Sequence, residues 1–118
     1  MNGREEIQKT IELYIDGINN ENVASIPLAE DIELNGPMLG EPIIGEAEVR
    51  EYLRQIAPFF NTKLIYLIVE NDTAAAMQDM ETISGIKMQG ATFFRIRDQK
   101  VCFVQTFSDT RRLFKGGS

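Results

Sequence analysis

The chain has 118 residues, of which 43% are apolar, and its 12 basic and 18 acidic side chains give a formal net charge of −6. This length predicts one domain over residues 1–118, and the acidic balance argues against a nucleic acid partner, which needs clustered cations. Histidine is absent. Its absence argues against Ser-His-Asp, Cys-His and zinc chemistry, so we expect no metal and no cofactor.

Membrane segments are not expected either. No apolar run reaches the roughly 18 residues of a membrane helix, and residues 1–6 lack the apolar stretch of a signal peptide. We therefore expect a soluble, cytoplasmic protein with no membrane partner. The single cysteine, Cys102, lies in the apolar run 101–104, which predicts a buried, inert thiol.

The first half of the chain predicts two helices with a strand between them. Apolar side chains recur at helical spacing in the first helix, at Ile7, Ile11, Tyr14, Ile15 and Ile18. One or two further helical turns at residues 23–26 precede a short strand at 31–34, and the glycine and proline residues of 36–45 then turn the chain back. A second amphipathic helix begins at Gly45 and ends at Pro58.

The second half of the chain predicts strands at residues 63–70, 73–83, 86–97 and 100–108. Short connectors between them are typical of an antiparallel meander, and we expect Gly90 to mark a bulge or bend. Helices followed by strands predict an α+β fold, with the helices packed on one face of a strongly curved, mostly antiparallel sheet. Residues 116–118 are predicted to form a flexible tail.

Both faces of the last two predicted strands are apolar, although neighbouring side chains of a strand point to opposite faces. The helices can cover one face. We therefore predict that Phe93, Phe103 and Phe107 on the other face are buried in a homodimer. The alternative is that loops or the C-terminal tail cover these aromatic side chains.

Three segments resemble the nuclear transport factor 2-like superfamily, which includes ketosteroid isomerases, SnoaL-type polyketide cyclases and the carotenoid-binding domain of orange carotenoid protein. They are Tyr-Ile-Asp-Gly-Ile-Asn at 14–19, Ala-Glu-Asp-Ile-Glu-Leu at 29–34 and Glu-Pro-Ile-Ile-Gly at 41–45, which leads into a helix. The resemblance extends over nearly the whole chain and implies a cone-shaped fold around a small-molecule pocket. Because this superfamily has many functions on one scaffold, the resemblance indicates fold better than activity.

The resemblance also suggests roles for single residues. Tyr14 matches the oxyanion-hole tyrosine of ketosteroid isomerase, whereas Gly36 stands where that family has its base aspartate and Thr92 stands near the position of its second aspartate. Against orange carotenoid protein, Tyr14 matches the tyrosine that binds the carotenoid keto group. Phe94 stands at the place of its tryptophan partner and lacks the N–H donor.

The candidate pocket follows from the resemblance and from strand alternation. If Thr92 and Phe94 face inward, the next strand should turn its even-numbered residues inward too. The resulting expected ligand-binding residues are Tyr14, Met38, Tyr52, Thr92, Phe94, Cys102, Val104 and Thr106. Tyr14 could instead be a core tyrosine whose hydroxyl reaches a backbone carbonyl.

The strand register around Asp79 is open to two interpretations. In one register Ala76, Gln78, Met80 and Thr82 face the pocket, and Asp79 is solvated. In the other, Asp79 enters the cavity beside Tyr14, where a raised pKa would suit a general base.

These observations support three functions. The leading hypothesis is a protein that binds a hydrophobic small molecule in an apolar pocket. The first alternative is a cofactor-independent isomerase or polyketide-cyclase-like enzyme, with Tyr14 as oxyanion donor and Asp79 as base. The second alternative is a structural dimerisation domain whose cavity is filled by side chains.

Overall fold

The computed structural model describes residues 3–108, which form two helices and six strands. The helices are α1 (Gly3–Asn19) and α2 (Glu46–Ile56), and short 3₁₀ turns cover Val23–Ser25 and Ala57–Phe59. The strands are β1 (Leu28–Asn35), β2 (Ile43–Ile44), β3 (Phe60–Glu70), β4 (Thr73–Thr82), β5 (Lys87–Arg97) and β6 (Lys100–Ser108). The predicted tail at 116–118 lies outside the described residues.

One sheet contains all six strands of residues 3–108, in the order β2-β1-β6-β5-β4-β3. The predicted meander is present, because β3, β4, β5 and β6 pair in sequence and antiparallel. At the β5–β6 turn Asp98 and Gln99 both have positive φ, as a two-residue type I′ hairpin requires. The pairing of β1 with β6 is parallel, so the sheet is mixed but mostly antiparallel, and the predicted α+β class is confirmed.

The helices cover one face of the sheet, which we call the inner face; the opposite face is the outer face. The apolar stripe of α1 is buried against the inner face, and there Ile11, Phe94, Val101 and Val104 have at most 1% of their surface exposed. Hydrophobic burial between the helices and the inner face therefore forms the core of the protein.

Two polar side chains hold the helices in place around the sheet. The Asn19 amide donates to the Thr62 carbonyl at 2.6 Å and accepts from the Thr62 N–H at 2.8 Å, so it pairs with the edge strand β3 as a neighbouring strand would. The Arg50 guanidinium donates to the carbonyls of Val23 and Ile26, at 2.7 and 3.1 Å. Arg50 thereby ties α2 to the segment between α1 and β1.

The prediction that Gly90 marks a bulge is wrong. Gly90 pairs in regular register with Gln78 on one side and Ser108 on the other. A Cβ at this position would lie 2.9 Å from the Phe107 carbonyl oxygen and 2.6 Å from the terminal methyl group of Met80. Close packing therefore requires glycine here. The register irregularities fall elsewhere, at Cys102, at Ile65 and between Leu28 and Glu33.

Helices α1 and α2 are the two α-helices of residues 3–108. Neither of them is both long enough and apolar enough to cross a membrane.

Candidate functional site

A cavity of about 630 Å³ lies between the helices and the inner face of the sheet. Helices α1 and α2 supply Tyr14, Ile18, Tyr52, Leu53 and Ile56, and residues 34–39 close one side. The rest of the wall comes from β3, β4, β5 and β6. The side chains of residues 3–108 leave this space open.

Tyr14 lies on the buried stripe of α1, and 7% of its surface is exposed. Its ring packs edge to face on Phe94, with 5.3 Å between the centroids. No side-chain or backbone acceptor within residues 3–108 takes its hydroxyl proton, so the alternative of a core tyrosine bonded to a backbone carbonyl is not what the structure has. Burial, with a smaller contribution from Tyr52, raises the pKa of Tyr14, which therefore stays a neutral donor at physiological pH.

Tyr52 is the second phenol of the cavity. It lies on α2, is half-buried, and its pKa is also raised by burial. Tyr14 and Tyr52 are the only ionisable side chains in the wall formed by the described residues. The part of the wall that residues 3–108 form is therefore uncharged at neutral pH.

A hydrogen-bonded group of three polar side chains crosses the cavity wall from β4 to β6. The Thr92 hydroxyl on β5 donates to the Gln78 side-chain oxygen Oε1 on β4, and the Thr106 hydroxyl on β6 lies 3.4 Å from that of Thr92. Gln78 and Thr92 are 8% and 4% exposed, so these two side chains are almost fully removed from bulk water, and Thr106 is partly buried. Its hydrogen bonds offset the cost of burying polar atoms.

The mouth of the cavity is formed by residues 35–39, after β1. Met38 is 56% exposed there, and the Leu39 N–H donates to the Gly36 carbonyl at 3.1 Å in a tight turn. Gly36, which the resemblance places at the base aspartate of ketosteroid isomerase, lines the cavity without presenting a carboxylate. The turn thus supplies an apolar rim and no acid.

The structure brings five of the eight expected ligand-binding residues to the cavity wall, namely Tyr14, Met38, Tyr52, Thr92 and Thr106. Phe94 and Val104 are buried in the core behind the wall, where they pair across β5 and β6. Phe94 packs against the Tyr14 ring on the core side and does not line the cavity. The ligand-binding roles of these residues stay predictions.

The placement of Cys102 in the cavity is wrong because strand alternation breaks at this residue. Arg95 pairs with Phe103 and Ile96 pairs with Val101, which leaves Cys102 as the extra residue of a bulge. Val101 takes the inward position, and the Cys102 thiol donates to the Arg95 carbonyl at 3.4 Å. Cys102 is only partly buried, so the expectation of a buried thiol is wrong. Desolvation raises the pKa of this thiol, and its inertness stays a prediction.

The placement of Asp79 beside Tyr14 is also wrong. On β4 the inward positions belong to Ala74, Ala76 and Gln78, and Asp79 is exposed on the outer face. There it pairs with Lys63 and Gln89 of the neighbouring strands and accepts a 3.4 Å hydrogen bond from Gln89. Burying the amide of Gln78 costs far less than burying a carboxylate, which explains the register.

Several wall residues were missing from the sequence-based set. The largest are the apolar side chains of Leu39, Phe60, Met80 and Met88, together with the amide of Gln78. Gln78 and Met80 share a face of β4, so the register that solvates Asp79 was the signal for them. Phe60 gave no such signal, because β3 begins three residues earlier than its alternation predicted.

A second, larger depression of about 810 Å³ surrounds the exposed row Lys63, Asp79 and Gln89. Glu81 and Lys87 border it, so its wall carries charges of both signs. It therefore lacks the apolar enclosure of the inner cavity, which remains the candidate site. Across residues 3–108 no three acidic or cysteine side chains cluster as metal ligands would.

Comparison with known proteins identifies the scaffold. The family model described as a SnoaL-like domain matches residues 11–104. No protein with a curated description matches the sequence.

Three solved structures illustrate the likeness in fold. An epoxide hydrolase from M. tuberculosis, described as LEH-like, superposes with a TM-score of 0.83 at 17% identity, over 95% of this chain and 89% of that one. A protein from Kribbella flavida with a provisional description as a ketosteroid isomerase superposes with a TM-score of 0.79 at 22% identity, over 89% of this chain and 78% of that one. A protein of unknown function from Cytophaga hutchinsonii, described as NTF2-like, gives 0.81 at 17%, over 92% and 94%. At these identities the likeness concerns the fold alone.

Proposed function

The chain belongs to the SnoaL-like domain family within the nuclear transport factor 2-like fold, and we propose that it binds a neutral, hydrophobic small molecule in the inner cavity. The observation that carries this proposal is the cavity itself, about 630 Å³ in volume and without a charged side chain in its described wall. Small-molecule sites are typically concave and mostly apolar, with a few placed polar groups. Tyr14, Gln78 and Thr92 are such groups here.

Binding is favoured over the enzyme alternative by the chemistry of the wall. An isomerase or cyclase of the expected type needs a base that removes a proton from the substrate. Asp79 points to the outer face, and the described wall contributes no carboxylate, lysine or cysteine. Tyr14 can still donate a hydrogen bond to a ligand oxygen, which is a binding role in the absence of that base.

A titration with N-phenyl-1-naphthylamine, a neutral apolar fluorophore, tests the proposal. We expect enhanced fluorescence and a rise in the free energy of unfolding of about 2.7 kcal/mol at 100 times the dissociation constant. Thr106→Phe, which fills part of the cavity, should weaken binding, whereas Gln89→Phe on the outer face should not. Equal binding by both variants would place the probe elsewhere, and no binding to the wild type would contradict the proposal.

We further propose that the outer face pairs with a second copy of the chain. One cross-strand row on this face is apolar throughout and contains Tyr66, Met77, Ala91 and Phe107. Tyr66, Met77 and Phe107 are each more than half exposed, and Phe93 and Phe103 stack edge to face beside them at 6.1 Å. An apolar patch of this extent on a sheet favours a self-complementary, two-fold interface.

Sedimentation equilibrium at micromolar concentration tests the homodimer. We expect twice the chain mass of 13.4 kDa for the wild type and a monomer for Met77→Glu, because the substitution would bury a charge in the interface. Gln89→Glu adds the same charge outside the apolar row and should leave the dimer intact. A wild-type monomer would contradict the proposal, and would direct attention to coverage of the aromatic residues by other parts of the chain.

A further inference from the structure

We propose that Gln78 makes the cavity selective for a ligand with a carbonyl oxygen, to which its amide nitrogen donates a hydrogen bond. This inference rests on the proposed function, because it names the chemistry of the ligand that the cavity would hold. It depends on three observations: the accessible donor atom of Gln78, the threonine hydroxyls that orient its amide, and the lack of charged side chains in the wall formed by residues 3–108.

The first observation fixes which end of the Gln78 amide faces the cavity. The Thr92 hydroxyl donates to Oε1, the carbonyl oxygen of the amide. The nitrogen Nε2 therefore lies on the other arm of the fork, and no protein acceptor within residues 3–108 bonds to it. Every fully buried side-chain nitrogen or oxygen in that range has a partner, so Nε2 remains accessible from the cavity. An amide nitrogen only donates, so this atom recognises an acceptor.

The second observation concerns the two threonines, which hold this orientation. The Thr92 hydroxyl has one proton and uses it on Gln78, so Thr106 is the donor across the 3.4 Å between the two hydroxyls. The resulting chain runs from Thr106 through Thr92 to Gln78. Each bond in such a chain polarises the next, which makes the far end, Nε2, a stronger donor.

The third observation limits the charge of the ligand. A ligand with a carboxylate or ammonium group would find no opposite charge in the wall formed by residues 3–108. The desolvation of that group would therefore oppose binding. A ketone, aldehyde, ester or quinone oxygen has lone pairs and no proton, so it satisfies Nε2 without leaving a donor unpaired. The 8% exposure of Gln78 means that bulk water competes poorly for this bond.

Two naphthalenes of nearly the same shape test the inference: 2-acetylnaphthalene carries a ketone, and 2-ethylnaphthalene replaces it with a hydrocarbon. Dissociation constants for both are measured by calorimetry on the wild type, on Gln78→Met and on Gln89→Met, the same change on the outer face. We expect the preference for the ketone over the hydrocarbon to fall about tenfold in Gln78→Met, as for one lost buried hydrogen bond, and to stay unchanged in Gln89→Met.

The outcomes separate this inference from the proposed function. If both probes bind and their ratio is the same in all three proteins, the role of Gln78 is wrong while the binding function stands. If neither probe binds to the wild type, the proposed function fails and the inference fails with it. Tighter binding of 1-(2-naphthyl)ethanol than of the ketone, lost in Gln78→Met, would show a reversed amide and overturn the inference.

A spectroscopic measurement on the wild type needs no folded Gln78 variant. The infrared carbonyl stretch of bound 2-acetylnaphthalene should lie at a lower wavenumber than in a hydrocarbon solvent, because a hydrogen bond weakens the C=O bond. Thr92→Val, which removes the donor that orients Gln78, should return the stretch toward the hydrocarbon value. An unshifted stretch in the wild type would overturn the inference.

Discussion

The two faces of β4 share alanine and methionine, but one face lines the cavity and the core and the other is exposed to solvent. Alanine, alanine, glutamine and methionine face inward at positions 74, 76, 78 and 80, and alanine, methionine, aspartate and glutamate face outward at 75, 77, 79 and 81. Both faces contain alanine and methionine, and the inner face adds one amide where the outer face adds two carboxylates. The two sets differ chiefly in charge, and the charged set is the solvated one, so a neutral amide against a carboxylate is what separates cavity wall from surface.

Strand β5 also has a buried inner face and a more exposed outer face, and substitutions there should give the largest difference in stability. Phe94 faces inward and is 1% exposed, whereas its neighbour Phe93 faces outward and is partly buried. We expect Phe94→Ala to lower the free energy of unfolding by about 3–5 kcal/mol, because it leaves a cavity beneath Tyr14. Urea unfolding measures the loss.

Phe93→Ala is the matched substitution on the outer face. Its effect should be smaller at low protein concentration and should grow with concentration, because the outer face would be buried only in the dimer. Equal, concentration-independent losses of stability for Phe93→Ala and Phe94→Ala would mean that both faces belong to the core. They would contradict the distinction between an inner core face and an outer interface face.

How far the sequence predicts this contrast depends on the element. Helix α1, helix α2 and the four-strand meander follow from periodicity and turn residues, since each is long and regular. The site follows less well, because a single bulge reverses the facing of a residue: the extra residue at Cys102 moved Val101 inward, and no turn signal marks it. Nor does the local pattern reveal the parallel pairing of β1 with β6, because these strands are far apart in the sequence and meet only through tertiary contacts.

Packing on the inner face should also distinguish two glycines. At Gly90 an added Cβ would meet the Phe107 carbonyl oxygen at 2.9 Å, a backbone atom that cannot move without distorting β6. We expect Gly90→Ala to lower the free energy of unfolding by about 1–3 kcal/mol. Gly40→Ala, where no atom lies within 4 Å of the added Cβ, should change it by less than about 0.5 kcal/mol. Similar losses for both would remove close packing as the reason for glycine at position 90.

Buried phenols should give the inner face a pH dependence at alkaline pH. Burial raises the pKa of Tyr14 above the ordinary value of about 10, so the unfolded chain loses this proton at a lower pH than the folded protein does. The free energy of unfolding should be unaffected by Tyr14 below about pH 10 and fall as the pH rises further, by at most about 1.4 kcal/mol per pH unit. Tyr14→Phe should have a shallower decline, and the remainder includes Tyr52, whose pKa is raised too.

Urea titrations between pH 8 and pH 11 on both proteins measure these slopes. Identical slopes for wild type and Tyr14→Phe would mean that the Tyr14 phenol ionises as easily in the folded protein as in the unfolded chain. That result would contradict the conclusion that burial removes the Tyr14 phenol from water.

The smallest effect is expected where the contrast predicts none. Asp79 is exposed on the outer face and accepts a 3.4 Å hydrogen bond from Gln89, so Asp79→Asn should change the free energy of unfolding by less than about 0.5 kcal/mol. Binding of 2-acetylnaphthalene should be unchanged as well, because the sheet separates this carboxylate from the cavity. Gln78→Glu, one residue earlier, places a carboxylate on the inner face, where burial should raise its pKa and make probe binding weaken as the pH rises. Equal effects of the two substitutions on binding would mean that β4 does not separate a neutral wall from a charged surface.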